Sequence, residues 1–544
     1  REAPADRQRL ETAGYNLDEG MVVDLDGRIS HGSDALHTLA LMSTPSSAFN
    51  HFNKWAFSSS LLAKLVYPVL RSGRWLTLFV LGRAGLSPEA SGNVDRSAIF
   101  AIFFALFSVF HFFNYALEYG RYPPGADMYA VLACAIALFA RPRSARLLAL
   151  LMLISTVSAI VQAPITSNHT IVRNGLLLGY WASFFYAMAG GRSWSSIFAN
   201  FSLSGQGILL VMYFYGIFHK INTGFLDPAT SCAVFLWRLM PPPMVWFDFP
   251  AIHYLAIYGT FVVEGALIAA LLTRRFRHYG IVAGIAFHMF LALSSYAMYI
   301  SFTTLSIALH SLFLSPEGAK RIFASPEMQI VRNRIRHPLY IVTALVLAAS
   351  MFLTAVFGHY TYTTLSALPI IVPFCYLVIR YGQPDMDAAA QRRPGAQWAI
   401  ATVITALFFA NGLMPYLGLK SAQSINMFAN LRLEAGESNH LVFSAPHRPF
   451  RYLDEVAMMT DSGGDRLLET LKNSDLGIVY YDLLVRLADN QDLTVSYTVG
   501  TEEYSDVSAA NLQDDIATTL HSKWFRKWFH FQPVNLQDQE ACNV

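Results

Sequence analysis

Charge is the scarcest property of this chain. Asp, Glu, Lys and Arg supply 14% of its 544 residues, against roughly 25% in a soluble domain. Cysteine is rarer still. Cys134, Cys232, Cys375 and Cys542 are the four present, spaced too widely for a CxxC redox pair or a zinc motif. No disulfide network is expected. Cys232 and Cys542 read as free thiols, a bridge between them being the alternative. The 16 histidines show no pair at ligand spacing on a helix face, so no metal is expected. A phosphate-binding glycine loop is also missing, the Ser204-Gly205-Gln206-Gly207 stretch being too short for one. With a net charge of +2 the chain lacks the basic face that nucleic acid requires. It opens Arg1-Glu2-Ala3-Pro4, without the regions of a signal peptide, and reads as starting partway through a longer protein.

Apolar surface, by contrast, is abundant. Hydrophobic residues make up 54% of the chain and mean hydropathy is +0.36. About eleven apolar stretches can be marked, many near the ~20 residues that a bilayer-spanning helix needs and several shorter. They cover 97 to 117, 127 to 140, 145 to 163, 172 to 190, 205 to 219, 250 to 272, 278 to 297, 299 to 314, 338 to 357, 364 to 380 and 397 to 417. The short pair around Arg141 also fits a re-entrant hairpin, and the two runs around Tyr299 also fit one broken helix. Basic residues cluster in alternate connections: Arg141, Arg143 and Arg146; Arg192; Arg274, Arg275 and Arg277; Lys320 through Arg336; Arg380, Arg392 and Arg393. By the positive-inside rule these face the cytoplasm. The connections between them, and everything after Tyr416, then lie on the opposite side.

Lys220 is the residue that demands an explanation, because an ammonium at the end of the apolar run Gly207 to Phe218 is expensive to keep. Burial there disfavours the charged form and leaves an amine able to act as a general base, a bias that a charged His219 would strengthen. The plainer reading is that Lys220 snorkels to the headgroups. Glu264 and His288 lie nearer the middles of their helices, where ionisable groups face the bundle interior and seek a partner, each being a candidate for the other. Tyr213 and Tyr215 read as interface aromatics. Two polar clusters share the outer side with Lys220: Asn168-His169, and Asn430, Arg432, Glu434, Asn439 and His440 in "MFANLRLEAGESNHLVF". His111 and Asn114 can join them. Together they suggest an outward-opening pocket. The second cluster reads equally well as a polar connector in which Arg432 and Glu434 form a surface ion pair worth under about 1 kcal/mol.

The run "YFYGIFHKINTGFLDPATSCA", followed by "GIAFHMFLALSSYAMYISFTTLSIALHSLFLSPEGAKR", resembles the HTTM family of vitamin K-dependent γ-carboxylase-like membrane proteins. The resemblance covers residues 95 to 445 and preserves the order of Lys220 two before Asn222, then Glu264, then His288. It implies catalytic roles for Lys220, His219 and His288. The cofactor- or substrate-binding residues it implies are Asn168, His169, Asn222, Glu264, Asn430, Arg432, Asn439 and His440. A reduced quinone, O2 and CO2 would be the co-substrates. In that chemistry a base deprotonates the quinol, oxygenation to an epoxide yields a stronger base, and a glutamate carbanion traps carbon dioxide. Upstream, "GMVVDLDGRISHGSDALHTLALM" is similar to the C-terminal half of the DCC family of thioredoxin-like proteins, whose Asp-Cys-Cys signature this sequence lacks.

The expected architecture is mainly α. A partial α/β DCC-like segment (1 to 92, cytoplasmic) precedes a polytopic membrane helix bundle (93 to 418). A small, mainly β or α+β extracytoplasmic domain (419 to 544) follows. The hairpin around Leu25-Asp26-Gly27 and a helix capped by Ser33 or Asp34 begin the first. Strand-like runs at Leu441 to Phe443, Gly477 to Tyr481 and Thr494 to Val499 mark the last. Its Trp524 to Phe529 stretch suits either a membrane interface or packing on the domain. The expected setting is a bacterial inner membrane. The partners would be the bilayer, a lipophilic quinol and an extracytoplasmic protein or peptide. Two other functions stay open: non-enzymatic binding or transport of a lipid or small molecule, and quinone-linked thiol–disulfide exchange.

Overall fold

The computed structural model describes residues 21–44 (without 26), 51–81 (without 52, 53 and 56), 91–117, 124–163, 167–190, 192–296, 299–334, 360–384, 395–443, 448–520 and 526–537, with isolated positions that include Cys542. The expected span 338 to 357, apart from such isolated positions, and the Trp524-Phe525 pair lie outside the described residues.

The N-terminal elements follow their turn chemistry. β1 (Val22–Leu25) and β2 (Arg28–His31) pair antiparallel with Leu25 opposite Arg28, and Gly27 between them has a φ of 83° that few other residues adopt. α1 (Ser33–Met42) is capped by Gly32, not by Ser33 or Asp34. Gly32 has a φ of 64°, and a Cβ on it would meet the Tyr67 ring at 3.2 Å. Tyr67 belongs to α2 (Ser60–Leu81), which exposes Leu61, Leu65 and Val69 and docks on the bundle through Trp75. The Trp75 indole donates to the Arg192 carbonyl at 2.6 Å.

The bundle comprises α3 (Ser91–Leu117), α4 (Ala126–Ala140), α5 (Ala145–Gln162), α6 (Asn168–Gly190), α7 (Trp194–Phe218), α8 (Thr223–Leu226), α9 (Cys232–Arg238), α10 (Pro250–Leu272), α11 (Arg277–Leu291), α12 (Tyr299–Ser311), α13 (Pro316–Ala324), α14 (Pro326–Arg334), α15 (Tyr360–Tyr381) and α16 (Gly395–Leu417). Six of these, α3, α5, α7, α10, α15 and α16, are long and apolar enough to cross a membrane, as befits an integral membrane protein. α7 starts well before the expected residue 205. Ser195, Asn200, Ser202 and Ser204 lower its hydropathy but are buried against other helices. α11 and α12 are two helices separated by a turn at Ala292 to Tyr296, not one broken helix.

Every residue of α12 is buried, which is why its sequence shows no polar face. Two of its hydroxyls are satisfied within the helix, Thr304 Oγ1 donating to the Ile300 carbonyl at 2.9 Å and Ser311 Oγ to that of Ala308 at 2.7 Å, while Thr303 Oγ1 donates across to the His288 carbonyl at 3.1 Å. With lipid as solvent the helices gain little from apolar burial against one another, so close packing at small residues holds them. Gly412 of α16 shows this. A Cβ there would lie 2.2 Å from the Tyr215 ring of α7.

After α16 the chain builds β3 (Val456–Asp461), α17 (Arg466–Asn473), β4 (Ile478–Val479), α18 (Tyr480–Asp489), β5 (Thr494–Val499), β6 (Glu502–Ser508) and α19 (Gln513–Thr519). The sheet is antiparallel in the order β4-β3-β5-β6. The region is therefore α+β, not mainly β. β5 matches its expected run, the run at 477 to 481 shrinks to Ile478–Val479 because Tyr480 opens a helix, and 441 to 443 is no strand. Asp465 caps α17, accepting from Leu467 N and Leu468 N at 2.9 and 3.0 Å, and so turns Leu468 and Leu471 into the core beneath the sheet. Phe529 packs on Tyr481, which accounts for one aromatic of the terminal stretch, while Trp528 stays exposed.

Cys232 and Cys542 are not free thiols. They form a disulfide across 310 residues of chain, with Cα atoms 5.0 Å apart. It ties the C-terminus to the first residue of α9. Sequence spacing carries no information about a pairing this distant.

Candidate functional site

Where α7 ends, three helices converge on Lys220. The residue is buried, and it does not snorkel. Its Nζ donates to Glu264 Oε1 on α10 at 2.8 Å and lies 5.6 Å from the centre of the Phe225 ring. The amine is thus engaged by a carboxylate, where the sequence suggested a bare base. Glu264, expected beside His288, is instead the partner of Lys220. Its second oxygen, Oε2, is buried and has no hydrogen-bond partner among the described residues. Gly216, one helical turn before Lys220, makes room for it, since a Cβ at Gly216 would stand 2.5 Å from Oε2.

Both residues line a cavity of about 360 Å³. α10 supplies one wall with Ala256, Gly259 and Val263, while α9 contributes Leu236 and Trp237. Beyond those walls α10 presents Tyr258 and Val262 outward, 53% and 70% exposed, as a lipid-facing helix would. The lining is dominated by aliphatic and aromatic side chains, with the Lys220–Glu264 pair, Asn168, Tyr213, Tyr299 and His288 among its few polar groups.

His288 is held from the far side. Tyr213 Oη lies 3.1 Å from His288 Nε2 and 2.9 Å from His310 Nε2, and His310 Nδ1 is 2.7 Å from the Ser306 carbonyl. His288 Nδ1 is buried and has no hydrogen-bond partner among the described residues. Tyr213 is therefore no interface aromatic, and neither is Tyr215, whose hydroxyl donates to the Phe409 carbonyl at 2.8 Å. Both rings are buried.

Most of the remaining expected site residues form a hydrogen-bonded network beside the cavity. His219 Nδ1 meets Tyr416 Oη at 2.8 Å, and its Nε2 meets the Ser424 carbonyl at 3.1 Å. Asn222 caps α8 by accepting from Phe225 N at 2.7 Å and donates to the carbonyls of His219 and Ala429 at 2.7 and 2.6 Å. Asn430 accepts from Cys232 N at 2.8 Å. Asn439 donates to the Asn430 carbonyl at 2.6 Å and accepts from Arg432 N at 2.9 Å. His440 donates through Nε2 to the Phe218 carbonyl at 3.0 Å. These bonds tie residues 421 to 443 to the end of α7, so the segment belongs structurally with the bundle. Arg432 and Glu434 are both buried, not a surface pair.

That segment is backbone of an unusual kind. Gln423, Ile425, Phe428 and Asn430 have φ of 56°, 66°, 53° and 52°, a left-handed region that costs of order 1 kcal/mol or more for residues with a Cβ. Ile425 and Phe428 line the cavity, and Asn168 Oδ1 accepts from Ile425 N at 3.1 Å. Lys420 stays close by, donating to Asn411 Oδ1 at 2.6 Å and to the Gln423 carbonyl at 3.3 Å. Burial brings its pKa down to about 8. Burial also holds the His440 imidazole below its ordinary value, opposed by its bond to the Phe218 carbonyl.

His169 does not reach the cavity. It lies 3.4 Å from His111, which meets Arg173 NH1 at 3.2 Å; the Arg173 Nε and NH2 donate to Asn174 Oδ1 at 3.2 Å. The structure thus brings Lys220, Glu264, His288 and Asn168 to one cavity. His219, Asn222, Asn430, Asn439 and His440 stand behind its wall, and His111 and His169 sit apart. Sequence reasoning missed His310 and discounted Tyr213. His310 could have been found by the argument applied to His288, as an imidazole in the apolar run "SIALHSLF". Comparison with protein-family models, with curated proteins and with solved structures gives no match for this chain.

Proposed function

We propose that this membrane protein takes a lipophilic quinol-type molecule from the bilayer into the cavity and holds one of its hydroxyls against Glu264 and Lys220. The observation that carries the reading is Glu264 Oε2, a buried carboxylate oxygen with no partner among the described residues, on the wall of an apolar cavity. A buried unsatisfied acceptor costs roughly 1–3 kcal/mol. A ligand with an apolar body and a hydroxyl donor removes that cost, whereas a pure hydrocarbon does not. The fit therefore favours the reduced, donor-bearing form over a quinone, which offers acceptors alone.

Within this reading the residues divide the work. α9 and α10 exclude water, which strengthens every charge interaction inside. Lys220 stabilises negative charge developing on the ligand oxygen, while the strained 423–430 segment closes the cavity from the side of the C-terminal region. When bound, the quinol would supply the oxygen-dependent chemistry that the HTTM resemblance implies, for use on an extracytoplasmic substrate. The Cys232–Cys542 disulfide supports an outward, oxidising location for this end of the bundle.

The test is oxygen consumption by the protein in nanodiscs with a panel of quinols, wild type against Lys220→Ala, with lipid extracts examined for epoxide. Turnover that the folded variant loses is the expected result. No turnover and no saturable binding of any quinol would overturn the proposal.

A further inference from the structure

The hydrogen-bond chain behind the cavity runs in one direction only. A carbonyl oxygen accepts and cannot donate, so the 2.7 Å contact between His310 Nδ1 and the Ser306 carbonyl puts a proton on Nδ1 of that ring. A neutral His310 then presents a bare Nε2, which at 2.9 Å accepts the single proton of the Tyr213 hydroxyl. Having donated once, Tyr213 can only accept at its second contact, 3.1 Å from His288 Nε2. His288 must therefore carry its proton on Nε2. The lone pair left over sits on Nδ1, the buried atom that has no partner among the described residues, on a residue that lines the cavity.

We infer that His288 is the proton acceptor for a hydroxyl of the bound ligand, with Tyr213 and His310 as positioning residues that fix its tautomer. The inference rests on the quinol reading for its ligand but not for its geometry. In the step, the ligand O–H bond breaks, its proton bonds to His288 Nδ1, and the electron pair stays on the ligand oxygen. The resulting imidazolium keeps its Nε2–H bond to Tyr213, and Lys220 faces the new negative charge. His288 and Glu264 thus offer two acceptors in one cavity, which suits a ligand with two hydroxyls on an apolar ring. Room for the chain is built in. Gly284 stands opposite His310, and a Cβ there would lie 2.0 Å from its Nε2.

The test is magnetic resonance of the full chain in nanodiscs with isotope-labelled histidine, whose ring-nitrogen shifts separate protonated from bare nitrogens. His288→Gln and His310→Gln assign the signals. The wild type is expected to show His288 protonated on Nε2 and bare on Nδ1, a readout that needs no variant and no ligand. Tyr213→Phe should convert His288 to mixed tautomers and leave His310 protonated on Nδ1, where the Ser306 carbonyl holds it. It should also weaken binding of duroquinol about tenfold, the loss of roughly one well-made hydrogen bond, with duroquinone unaffected. A protonated His288 Nδ1 in the wild type, or a His288 tautomer that Tyr213→Phe leaves unchanged, would overturn the inference. A bare Nδ1 that duroquinol never perturbs upholds the relay and counts against the quinol reading, so the two failures are distinguishable.

Discussion

Two buried polar assemblies lie side by side at the end of α7, and they are built on opposite principles. Around Asn222, Asn439 and His440 the side chains close on one another and on backbone groups, with contacts of 2.6 to 3.2 Å on both ends of each ring or amide. Around the cavity, Glu264 Oε2 and His288 Nδ1 are left without a partner among the described residues. Satisfied networks fix a backbone, while an unsatisfied buried acceptor beside open space is a cost that only a ligand or water can remove. Residue type does not distinguish the two assemblies, since both use histidine and carboxamide or carboxylate groups. Pairing does.

The comparison breaks most sharply at the ion pair. Glu264→Leu leaves Lys220 buried without its carboxylate, and the expected loss is about 3–5 kcal/mol of stability, read as a fall in thermal unfolding temperature in detergent. The double variant Lys220→Met with Glu264→Leu should recover most of that loss and still fail to bind quinol. A double variant that binds normally would remove the pair from the site.

Asn222→Ala tests the closed assembly. It orphans one helix-cap amide and two buried carbonyls, for a combined cost of about 2–4 kcal/mol. Because the network supports the cavity without lining it, quinol affinity of the molecules that remain folded should be unchanged. A selective loss of affinity at unchanged stability would show that the two assemblies are one.

How much of this was legible follows from the same distinction. Composition and run length gave the bundle because the lipid environment acts on every residue of a span alike. Lys220, Glu264 and His288 could be singled out because each is costly in an apolar helix whatever surrounds it. Their pairing could not. Lys220 meets Glu264 across 44 residues and Tyr213 meets His310 across 97, distances in sequence that only the helix packing closes. Tyr213 was discounted for a related reason, because one residue type serves both at an interface and in a core. The buried polar face of α7 hid its first turns in the same way, since its serines look like loop residues until their neighbours are known.

A smaller effect on stability should come with a large one on binding at Gly216. An added methyl 2.5 Å from Glu264 Oε2 must displace the carboxylate. Gly216→Ala is expected to cost about 1–2 kcal/mol. It should weaken quinol binding at least about tenfold, measured by titration in nanodiscs. Normal affinity would mean that Oε2 is not the ligand's acceptor.

The smallest effect is a pH dependence confined to the closed assembly. His440 Nδ1 accepts from Val442 N and Phe443 N, each at 3.2 Å, and Nε2 donates to the Phe218 carbonyl. Protonating Nδ1 removes the acceptor and frees both amides. Burial holds the folded pKa below the ordinary 6.5, so between those two values the unfolded chain binds more protons than the folded one. The stability His440 contributes is therefore complete above 6.5 and is lost as pH falls through the depressed folded value. Protection of the Val442 and Phe443 amides, taken relative to their intrinsic exchange rates, should fall as pH drops below 6.5 through the depressed folded value, and His440→Gln should abolish that fall. Because His440 bonds to the carbonyl that ends α7, the loosening should begin at the wall and reach the cavity only afterwards. If quinol affinity instead collapses while those two amides stay protected, acid is acting on the open assembly directly, and the separation between scaffold and site drawn from pairing alone is wrong.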